Sequence, residues 1–180
     1  MNKSGFALTA LAACMIAGST DAMSDTAAPA LPALEYAFTA HIELAAPLEQ
    51  GTVDGARKRF IAITGGTVTG PALRGTLLAG GGDWQTIVPG GLTRLDAHYF
   101  IKSDDGTVIE VTNPGIRVAS AEVTERLARG EAVDPAQYYF RTTPSFKVAG
   151  EKFGWLQRSV FVARGVRKPA SVEIDFYRVL

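Results

Sequence analysis

Cysteine and histidine are scarce in this sequence of 180 residues, which contains one cysteine, Cys14, and two histidines, His41 and His98. A single cysteine forms no internal disulfide, and Cys14 lies in an apolar N-terminal run, so the rest of the chain has no thiol nucleophile. Structural zinc sites are built mainly from cysteine and histidine. We therefore predict no metal site.

The sequence also lacks an excess of charge and the common motifs of catalysis. Its 18 basic and 18 acidic side chains cancel, and no Lys/Arg block is interleaved with aromatics, so nucleic-acid binding is not predicted. G-x-S-x-G and H-E-x-x-H are absent. The glycine-rich segment 65–75 lies between strand-like segments rather than before a helix, which makes it a poor phosphate loop and a better barrel corner. No cofactor is predicted.

The N-terminal 22 residues have the pattern of a secretory signal. Lys3 precedes the apolar run 6–17, which is too short for a permanent membrane span, and a small-residue exit follows it. Cleavage near Ala22 would release an exported, periplasmic protein. Alternatively, the LAAC segment at 11–14 resembles the lipobox of bacterial lipoproteins, and the protein would then be tethered to a membrane through Cys14. Residues 23–33 are rich in Ala and Pro and are predicted to be a linker before a domain at 34–180.

From Leu34 onward the dominant pattern is that of short β-strands. Apolar and polar residues alternate in 35–44, and β-branched and aromatic residues are enriched in further segments bounded by Gly, Pro or Asp. These segments are 59–69, 73–79, 84–88, 94–102, 107–113, 138–143, 159–165 and 171–179. Their close spacing predicts an all-β fold, a single closed or nearly closed antiparallel β-barrel. One short helix is predicted after Ser120 as N-cap, with Gly130 just beyond its end. A turn is predicted at 152–157.

A predicted hairpin brings several polar residues together. Asp105-Gly106 is typical of a two-residue type I′ turn, which would pair Phe100 with Val111 and His98 with Asn113. Strand alternation then places one set of side chains on a single face, either the barrel interior or a solvent-facing side. The set is Asp96, His98, Phe100, Ile109, Val111 and Asn113. In the interior, Asp96 and His98 would be acid/base partners, whereas on a surface they would have no such role.

Other candidate residues lie near glycine clusters or among aromatics. Asp83 and Gln85 are expected to face the interior, and the intervening Trp84 the outside. Tyr139 and Arg141 share one side of a strand, where an arginine fork could receive a carboxylate or enolate or pair with a structural acid such as Asp175. The remaining candidates share a place on or beside strands where each is either a pocket residue or a packing residue. They are Trp155, Asp175 and Tyr177.

Five blocks of this sequence, in order, resemble the domain-of-unknown-function 3237 family, also called uncharacterised protein family 0311. The blocks are 63–85, 95–111, 138–146, 155–167 and 175–179. The resemblance implies a β-barrel of the calycin or allene-oxide-cyclase-like kind with a cavity. The family pattern covers Asp83, Trp84, Gln85, Asp96, Asp104, Asp105, Gly106, Tyr139, Arg141, Trp155, Asp175 and Tyr177. Gln157 and His98 depart from it, which argues against His98 as an essential base.

Two functions from different classes are compatible with these residues. The first is a cofactor-independent isomerase, cyclase or lyase acting on a small, partly aromatic or enolisable molecule. Asp83 or Asp96 would then move a proton, and Arg141 with Tyr139 would hold an oxyanion. The alternative is a non-catalytic periplasmic barrel that binds a small ligand. Its contacts would be Trp84, Gln85, His98, Trp155, Asp175 and Tyr177. A third hypothesis is a structural barrel with a filled interior that self-associates into a homo-oligomer.

The processing route is testable by intact-mass measurement of the exported protein. We expect the mass of a chain that begins at Met23 and carries no lipid, because the N-terminal pattern matches ordinary signal cleavage. The mass of a chain that begins at Cys14 and carries acyl groups would contradict this prediction and support processing as a lipoprotein.

Overall fold

β-Strands make up most of the chain in the computed structural model, which describes Met1 and residues 29–180. The predicted signal sequence from residue 2 onward, Cys14 and residues 23–28 of the predicted linker lie outside the described residues. The strands are β1 (Leu34–Leu44), β2 (Leu48–Val53), β3 (Ala56–Thr69), β4 (Gly75–Leu77), β5 (Gly82–Val88), β6 (Leu92–Ser103), β7 (Val108–Ala119), β8 (Tyr138–Thr142), β9 (Ser145–Val148), β10 (Phe161–Arg167) and β11 (Ser171–Val179). One α-helix, α1 (Ala121–Ala128), and two 3-10 turns, Pro135–Gln137 and Gly154–Arg158, complete the elements. No helix among the described residues is long and apolar enough to span a membrane.

The strands close into an antiparallel barrel. The order β1, β3, β5, β6, β7, β8, β10, β11 and back to β1 forms a ring of eight strands. The short strand β4 pairs with β3 and β6, beyond the segment of these strands that pairs with β5. Strand β9 pairs with β7 beyond the segment that pairs with β8. Strand β2 forms a hairpin with β3. Closure pairs every strand of the ring on both sides and leaves an inside for alternate side chains. The predicted all-β barrel with one short helix is confirmed.

The barrel interior is apolar at one end and polar at the other. Phe38 stacks on Phe176 with ring centroids 4.5 Å apart, and Phe146 packs edge-on against Phe161 at 5.0 Å. These rings are buried together with Ile101 and Ile109, which face each other beside the β6–β7 turn. Farther from that turn, the inward positions of β7 are polar. The fold therefore places a filled apolar core at one end and leaves the polar end for a site.

The β6–β7 hairpin corrects the predicted register by one residue. Lys102 pairs with Val108 and Ile101 with Ile109, because the loop has three residues rather than two. Ser103 N donates to Thr107 O at 2.9 Å, and Gly106 alone has a positive φ of 90°. A loop of this length with glycine in the left-handed region is the next most common hairpin connection. The slip leaves the predicted inward positions on β7 unchanged and turns those on β6 outward. The β6 residues that face outward are Asp96, His98 and Phe100.

A two-residue turn of the predicted kind occurs elsewhere in the chain. Asp54 and Gly55 have φ values of 52° and 77°, and Val53 pairs with Ala56 across them. Both central residues of a type I′ turn need positive φ, which Asp-Gly supplies at low cost. The same dipeptide therefore makes different turns between β2 and β3 and between β6 and β7.

Helix α1 follows β7 at the polar end of the barrel. Ser120 Oγ accepts a hydrogen bond from Val123 N at 3.2 Å, and Gly130 has a φ of 77°. Both the N-cap and the glycine beyond the end are as predicted from the sequence. Val123 and Leu127 are buried in the main core, so the helix is anchored by its apolar face.

The register is tested by two alanine substitutions at neighbouring positions of β6. Ile101 is fully buried and Phe100 is 46 % exposed. We expect Ile101→Ala to lower the free energy of unfolding by roughly 2–5 kcal/mol, because it leaves a cavity in the core. Phe100→Ala should cost less than about 1 kcal/mol, as expected for an exposed side chain. Urea denaturation of both variants is the measurement, and the reverse order would support the register slipped by one residue.

Candidate functional site

A cavity lies inside the polar half of the barrel. Its volume is about 40 Å³, which is enough for roughly three water molecules at about 10–15 Å³ each. Fifteen residues from β1, β3, β5, β6, β7, β8, β10 and β11 line it. They are Ile42, Leu44, Ile63, Asp83, Gln85, Leu95, Ala97, Tyr99, Asn113, Arg117, Phe140, Thr142, Arg167, Val172 and Ile174. Every strand of the ring contributes, as expected of a site held by the barrel itself.

One of the residues that line the cavity, Ala97, has a small side chain. Ala97 of β6 lies between Asp83 on β5 and Asn113 on β7 in one row across the sheet. In the next row, Gly115 stands opposite Leu95 and Thr142. A Cβ at Gly115 would lie 2.4 Å from Thr142 Cγ2, so this inward position has no room for a side chain. The polar side chains therefore surround the space rather than fill it.

Asp83 is the only carboxylate among the residues that line the cavity. Its Oδ2 accepts a hydrogen bond from Gln85 Nε2 at 2.5 Å, and its Oδ1 accepts one from the backbone N of Asp96 at 3.1 Å. Burial raises the pKa of this carboxyl above its ordinary value, and the two hydrogen bonds and Arg117 offset the rise only in part. A carboxyl with these properties is suited to accept and return a proton.

Arg59 of β3 supports Asp83 through Gln85. Arg59 Nε donates to Gln85 Oε1 at 2.9 Å, which orients the amide so that its nitrogen faces Asp83. The Arg59 side chain is 2 % exposed, and its Nη1 lies 3.9 Å from Oε1 of Glu49 at the edge of the barrel. Burial is the main cause that lowers the pKa of Arg59. The order Arg59–Gln85–Asp83 forms a fixed chain along β3 and β5.

Arg117 of β7 is the most buried charged residue of the site. It is 2 % exposed, and burial lowers the pKa of its guanidinium to about 10, helped by the like charges of Arg59 and Arg167. Arg167 is engaged by the turn between β10 and β11, because its Nη1 donates to the carbonyl oxygens of Lys168 and Ser171. No carboxylate of the described residues forms an ion pair with Arg117.

Four polar atoms that line the cavity have no hydrogen-bond partner among the described residues. They are Tyr99 Oη, Asn113 Oδ1, Arg117 Nη2 and Thr142 Oγ1. Buried polar groups are nearly always paired with protein atoms, water or a ligand, because leaving one unpaired costs about 1–3 kcal/mol. Burial also raises the pKa of the Tyr99 phenol well above its usual value, and the neighbouring Asn113 amide offsets the rise only in part, so this hydroxyl keeps its proton and is a hydrogen-bond donor. The unpaired atoms mark the cavity as a site for a polar guest.

Only two of the residues predicted from the sequence as site residues line this cavity. Asp83 and Gln85 point inward, and Trp84 is 53 % exposed, as expected from alternation. Trp84 packs outside against Phe60, with ring centroids 4.8 Å apart. Asp96 Oδ1 and His98 Nε2 are 2.9 Å apart, but both side chains are on the outer surface. The interior position predicted for this pair is wrong, since the β6–β7 loop has one residue more than assumed.

The remaining candidates also lie outside the cavity. Tyr139 and Arg141 contact each other on the outer face of β8, with the guanidinium carbon 5.1 Å from the ring centroid, while the neighbouring Phe140 and Thr142 point inward. Asp175 accepts from Thr39 at 2.8 Å and pairs with Arg164, not Arg141, at 3.3 Å.

The last two candidates pack on other aromatics. Tyr177 contacts Tyr36 with ring centroids 5.8 Å apart, and Trp155 in the second 3-10 turn packs on Phe161 at 5.7 Å. Their positions correct the expectation that these rings border the site.

Sequence reasoning missed the arginines and the tyrosine of the interior. A signal for them exists in the alternation: Arg59 shares a face with Ile61 and Ile63, and Arg117 shares one with Asn113 and Val111. A charged residue in register with an apolar face is unusual on a half-buried strand. Tyr99 requires the correct hairpin register, which the Asp105-Gly106 signal did not provide.

Comparison with known proteins agrees with this architecture. A model of the family described as protein of unknown function DUF3237 matches residues 32–179. The chain belongs to the DUF3237 family. The resemblance predicted from the sequence blocks is thereby confirmed.

Bacterial DUF3237 relatives match over nearly their whole length. A UPF0311 protein of Bradyrhizobium diazoefficiens is 40 % identical over 146 residues, which are 81 % of this chain and 95 % of that protein. The crystal structure of a conserved protein of unknown function from Rhodopseudomonas palustris has a TM-score of 0.79 and 36 % identity, and covers 85 % of this chain and 100 % of its own. A β-barrel-like protein from Acinetobacter baumannii gives a TM-score of 0.74 and 36 % identity, with 86 % and 99 % covered.

A fungal enzyme is more distantly similar. A hydroalkoxylation enzyme of Penicillium herquei is 36 % identical over 84 residues, 47 % of this chain and 56 % of the enzyme. The crystal structure of an enzyme from Penicillium herquei has a TM-score of 0.64 at 24 % identity, covers 85 % of this chain and 98 % of its own, and shares the fold.

Because Arg117 forms no ion pair among the described residues, we expect its charge to lower the stability of the protein when no anion is bound. Replacing a buried charge by an apolar side chain of similar length removes its desolvation cost. We expect Arg117→Met to raise the free energy of unfolding by on the order of 1–3 kcal/mol, in a zwitterionic buffer without carboxylates or phosphate. The measurement is urea denaturation. As matched control, Arg164→Met on the outer face of β10 should change it by less than about 1 kcal/mol. Marked destabilisation by Arg117→Met would mean that Arg117 has a structural partner.

Proposed function

We propose that this DUF3237 protein is a cofactor-independent acid–base catalyst that isomerises or cyclises a small enolisable molecule inside the barrel. The observation that carries the proposal is the position of Asp83, a partly buried carboxyl of raised pKa, in the same cavity as a buried arginine and a protonated tyrosine. Proton transfer to and from carbon needs a base near the proton and a positive or donating group near the developing oxyanion.

Asp83 acts as the base in this proposal. Its backbone and Gln85 contacts occupy one side of each oxygen, and each carboxylate oxygen has a second lone pair that remains for a substrate proton. Because burial disfavours the charged form, the ionised carboxylate is a stronger base than an exposed aspartate. The chain to Arg59 fixes the carboxylate in place without a direct ion pair, which would lower its basicity.

Arg117 and Tyr99 hold the oxyanion. Removal of a proton next to a carbonyl leaves a negative charge on the carbonyl oxygen, and both residues present donors without partners among the described residues to the cavity. Donors that are fixed before the reaction in a site with little water stabilise such charge most strongly. Return of the proton from Asp83 to a different atom of the enolate completes an isomerisation, with no atom gained or lost.

The Penicillium herquei relative supports this class of reaction. In hydroalkoxylation, the reaction in that enzyme's name, the oxygen and the hydrogen of a hydroxyl group add to the two carbons of a carbon–carbon double bond. In a cyclising version, the hydroxyl oxygen of the substrate would attack a carbon of a double bond conjugated with a carbonyl, and Asp83 would take the hydroxyl proton. The enolate would form at the other end, held by Arg117, and Asp83 would return the proton to carbon. The bonds formed and broken balance within one substrate molecule.

A non-catalytic binding barrel is the second candidate. It is favoured by the same unpaired donors at Arg117 and Tyr99, which bind a ligand whether or not Asp83 transfers a proton. Export to the periplasm, predicted from residues 1–22, is part of either proposal. The two functions differ in the need for Asp83.

Proton transfer is measurable with simple enolisable compounds. We expect the wild-type protein to accelerate hydrogen–deuterium exchange at the methyl carbon of pyruvate and at the central methylene carbon of acetylacetone, followed by NMR in deuterated buffer. Asp83→Asn should reduce this acceleration by about 10²-fold or more, because the amide cannot accept the proton. The rate should be lost as pH falls through the raised pKa of Asp83, since only the ionised carboxylate is a base.

The control for this substitution is an exposed aspartate. Asp104→Asn, in the loop between β6 and β7, should retain the wild-type rate. Exchange at the wild-type rate in Asp83→Asn would exclude Asp83 as the base. No acceleration by the wild-type protein with either compound would leave the binding function as the better description.

A further inference from the structure

We infer that the guest of the cavity is a small organic anion, a carboxylate in its resting form, whose charge lies against the guanidinium of Arg117. The inference rests on the proposed function in that it names the ligand class for the same cavity. Binding of an anion does not itself require proton transfer, so the two are testable separately. Three observations support it.

The first observation is the imbalance of charge around the cavity. Arg59, Arg117 and Arg167 influence one another electrostatically, and Asp83 is the one carboxylate that acts on all three. Glu49, the nearest ion-pair partner of Arg59, is 49 % exposed and is screened by solvent. A cationic guest would meet repulsion from three arginines, of which Arg59 and Arg117 are buried, whereas an anion would reduce that repulsion.

The second observation is that only one of the three arginines is free to bind. Arg59 is committed to Gln85, and Arg167 is committed to the carbonyl oxygens of the β10–β11 turn. Arg117 lines the cavity with Nη2 unpartnered, and no carboxylate of the part of the chain described in the structure pairs with it. The planar guanidinium presents two parallel donors that match a carboxylate. Its charge is therefore available to a ligand.

The third observation concerns the groups around Arg117. The Tyr99 hydroxyl, the Asn113 amide and the Thr142 hydroxyl line the same space, and each has an atom without a partner among the described residues. Together they could bind one further oxygen of an anion, such as a carbonyl or hydroxyl next to the carboxylate. The apolar remainder of the wall, Ile42, Leu95 and Val172, suits a short carbon chain. A 2-oxo or 2-hydroxy carboxylate of a few carbons has both features.

The size of the cavity limits the guest in this conformation. Room for about three water centres corresponds to a molecule of a few heavy atoms, or to the charged end of a larger one. A guest of this size would displace water from Arg117 and replace it with a charge-assisted hydrogen bond.

Binding is tested with acetate, pyruvate and lactate as probes, by calorimetry and by the thermal midpoint of the full mature chain. We expect saturable binding of at least one of the three, with a rise in the midpoint that pyruvamide, the neutral amide of pyruvate, does not produce. Sodium chloride at equal ionic strength corrects for screening. Arg117→Met should weaken binding by at least about tenfold, since a charge-assisted pair is lost. Arg164→Met on the outer surface should bind as the wild type does.

Further variants separate this inference from the catalytic proposal. Asp83→Asn should bind the carboxylate at least as tightly as the wild type, because a nearby negative charge is removed, although it loses proton transfer. Arg117→Lys, which keeps the charge, should retain part of the affinity if Arg117→Met folds poorly.

Two results would overturn the inference. The first is equal binding of pyruvate and pyruvamide, or of pyruvate by wild type and Arg117→Met. The second is no saturable effect of any of the three carboxylates, which would mean that the cavity holds water alone. Binding of a carboxylate without hydrogen–deuterium exchange would support the anion site and refute the catalytic proposal.

Discussion

The pairing register of β6 against β7 determines what the barrel encloses. Side chains alternate along a strand, so a slip of one residue would exchange the inward and outward sets of β6. In the observed register, Tyr99 and Ile101 face inward and Phe100 faces solvent. The three-residue loop closed by Gly106 holds this register, because its hydrogen bonds join Ser103 to Thr107 on either side of it. The apolar end of the core and the polar cavity both follow from it.

The interior combines two demands that act against each other. Closure of the ring excludes water from the middle of the barrel, which strengthens the packing of the aromatic end. The same exclusion makes a buried guanidinium costly. Arg117 forms no ion pair among the described residues, and the attraction of Asp83 offsets that cost only in part. The small side chain of Ala97 lines the cavity between Asp83 and Asn113. Proteins keep such unfavourable groups chiefly at functional sites, where a ligand supplies the missing partner.

Much of the fold was predictable from the sequence, and less of the site. Alternation and turn residues predict most strands, and Ser120 with Gly130 predicts both ends of α1. The inward orientation of Asp83 and Gln85 follows from the same alternation. The outward orientation of Asp96, Tyr139 and Arg141 does not, because it depends on loop length and on which strand face meets the core. Local pattern cannot decide either quantity, since both are fixed by pairing between strands far apart in the sequence.

The chemistry of Asp83 depends on the residue between it and Arg59. A direct ion pair between an aspartate and an arginine would favour the charged carboxylate and lower its pKa. Gln85 instead accepts from Arg59 at 2.9 Å and donates to Asp83 at 2.5 Å, so the arginine orients the carboxylate through a neutral amide. Burial then outweighs the attraction, and the pKa of Asp83 is raised rather than lowered. The intervening amide thus separates the two tasks of the arginines. Arg59 orients the base and is the least of the causes that lower its pKa, and Arg117, which forms no ion pair among the described residues, keeps its charge for the guest.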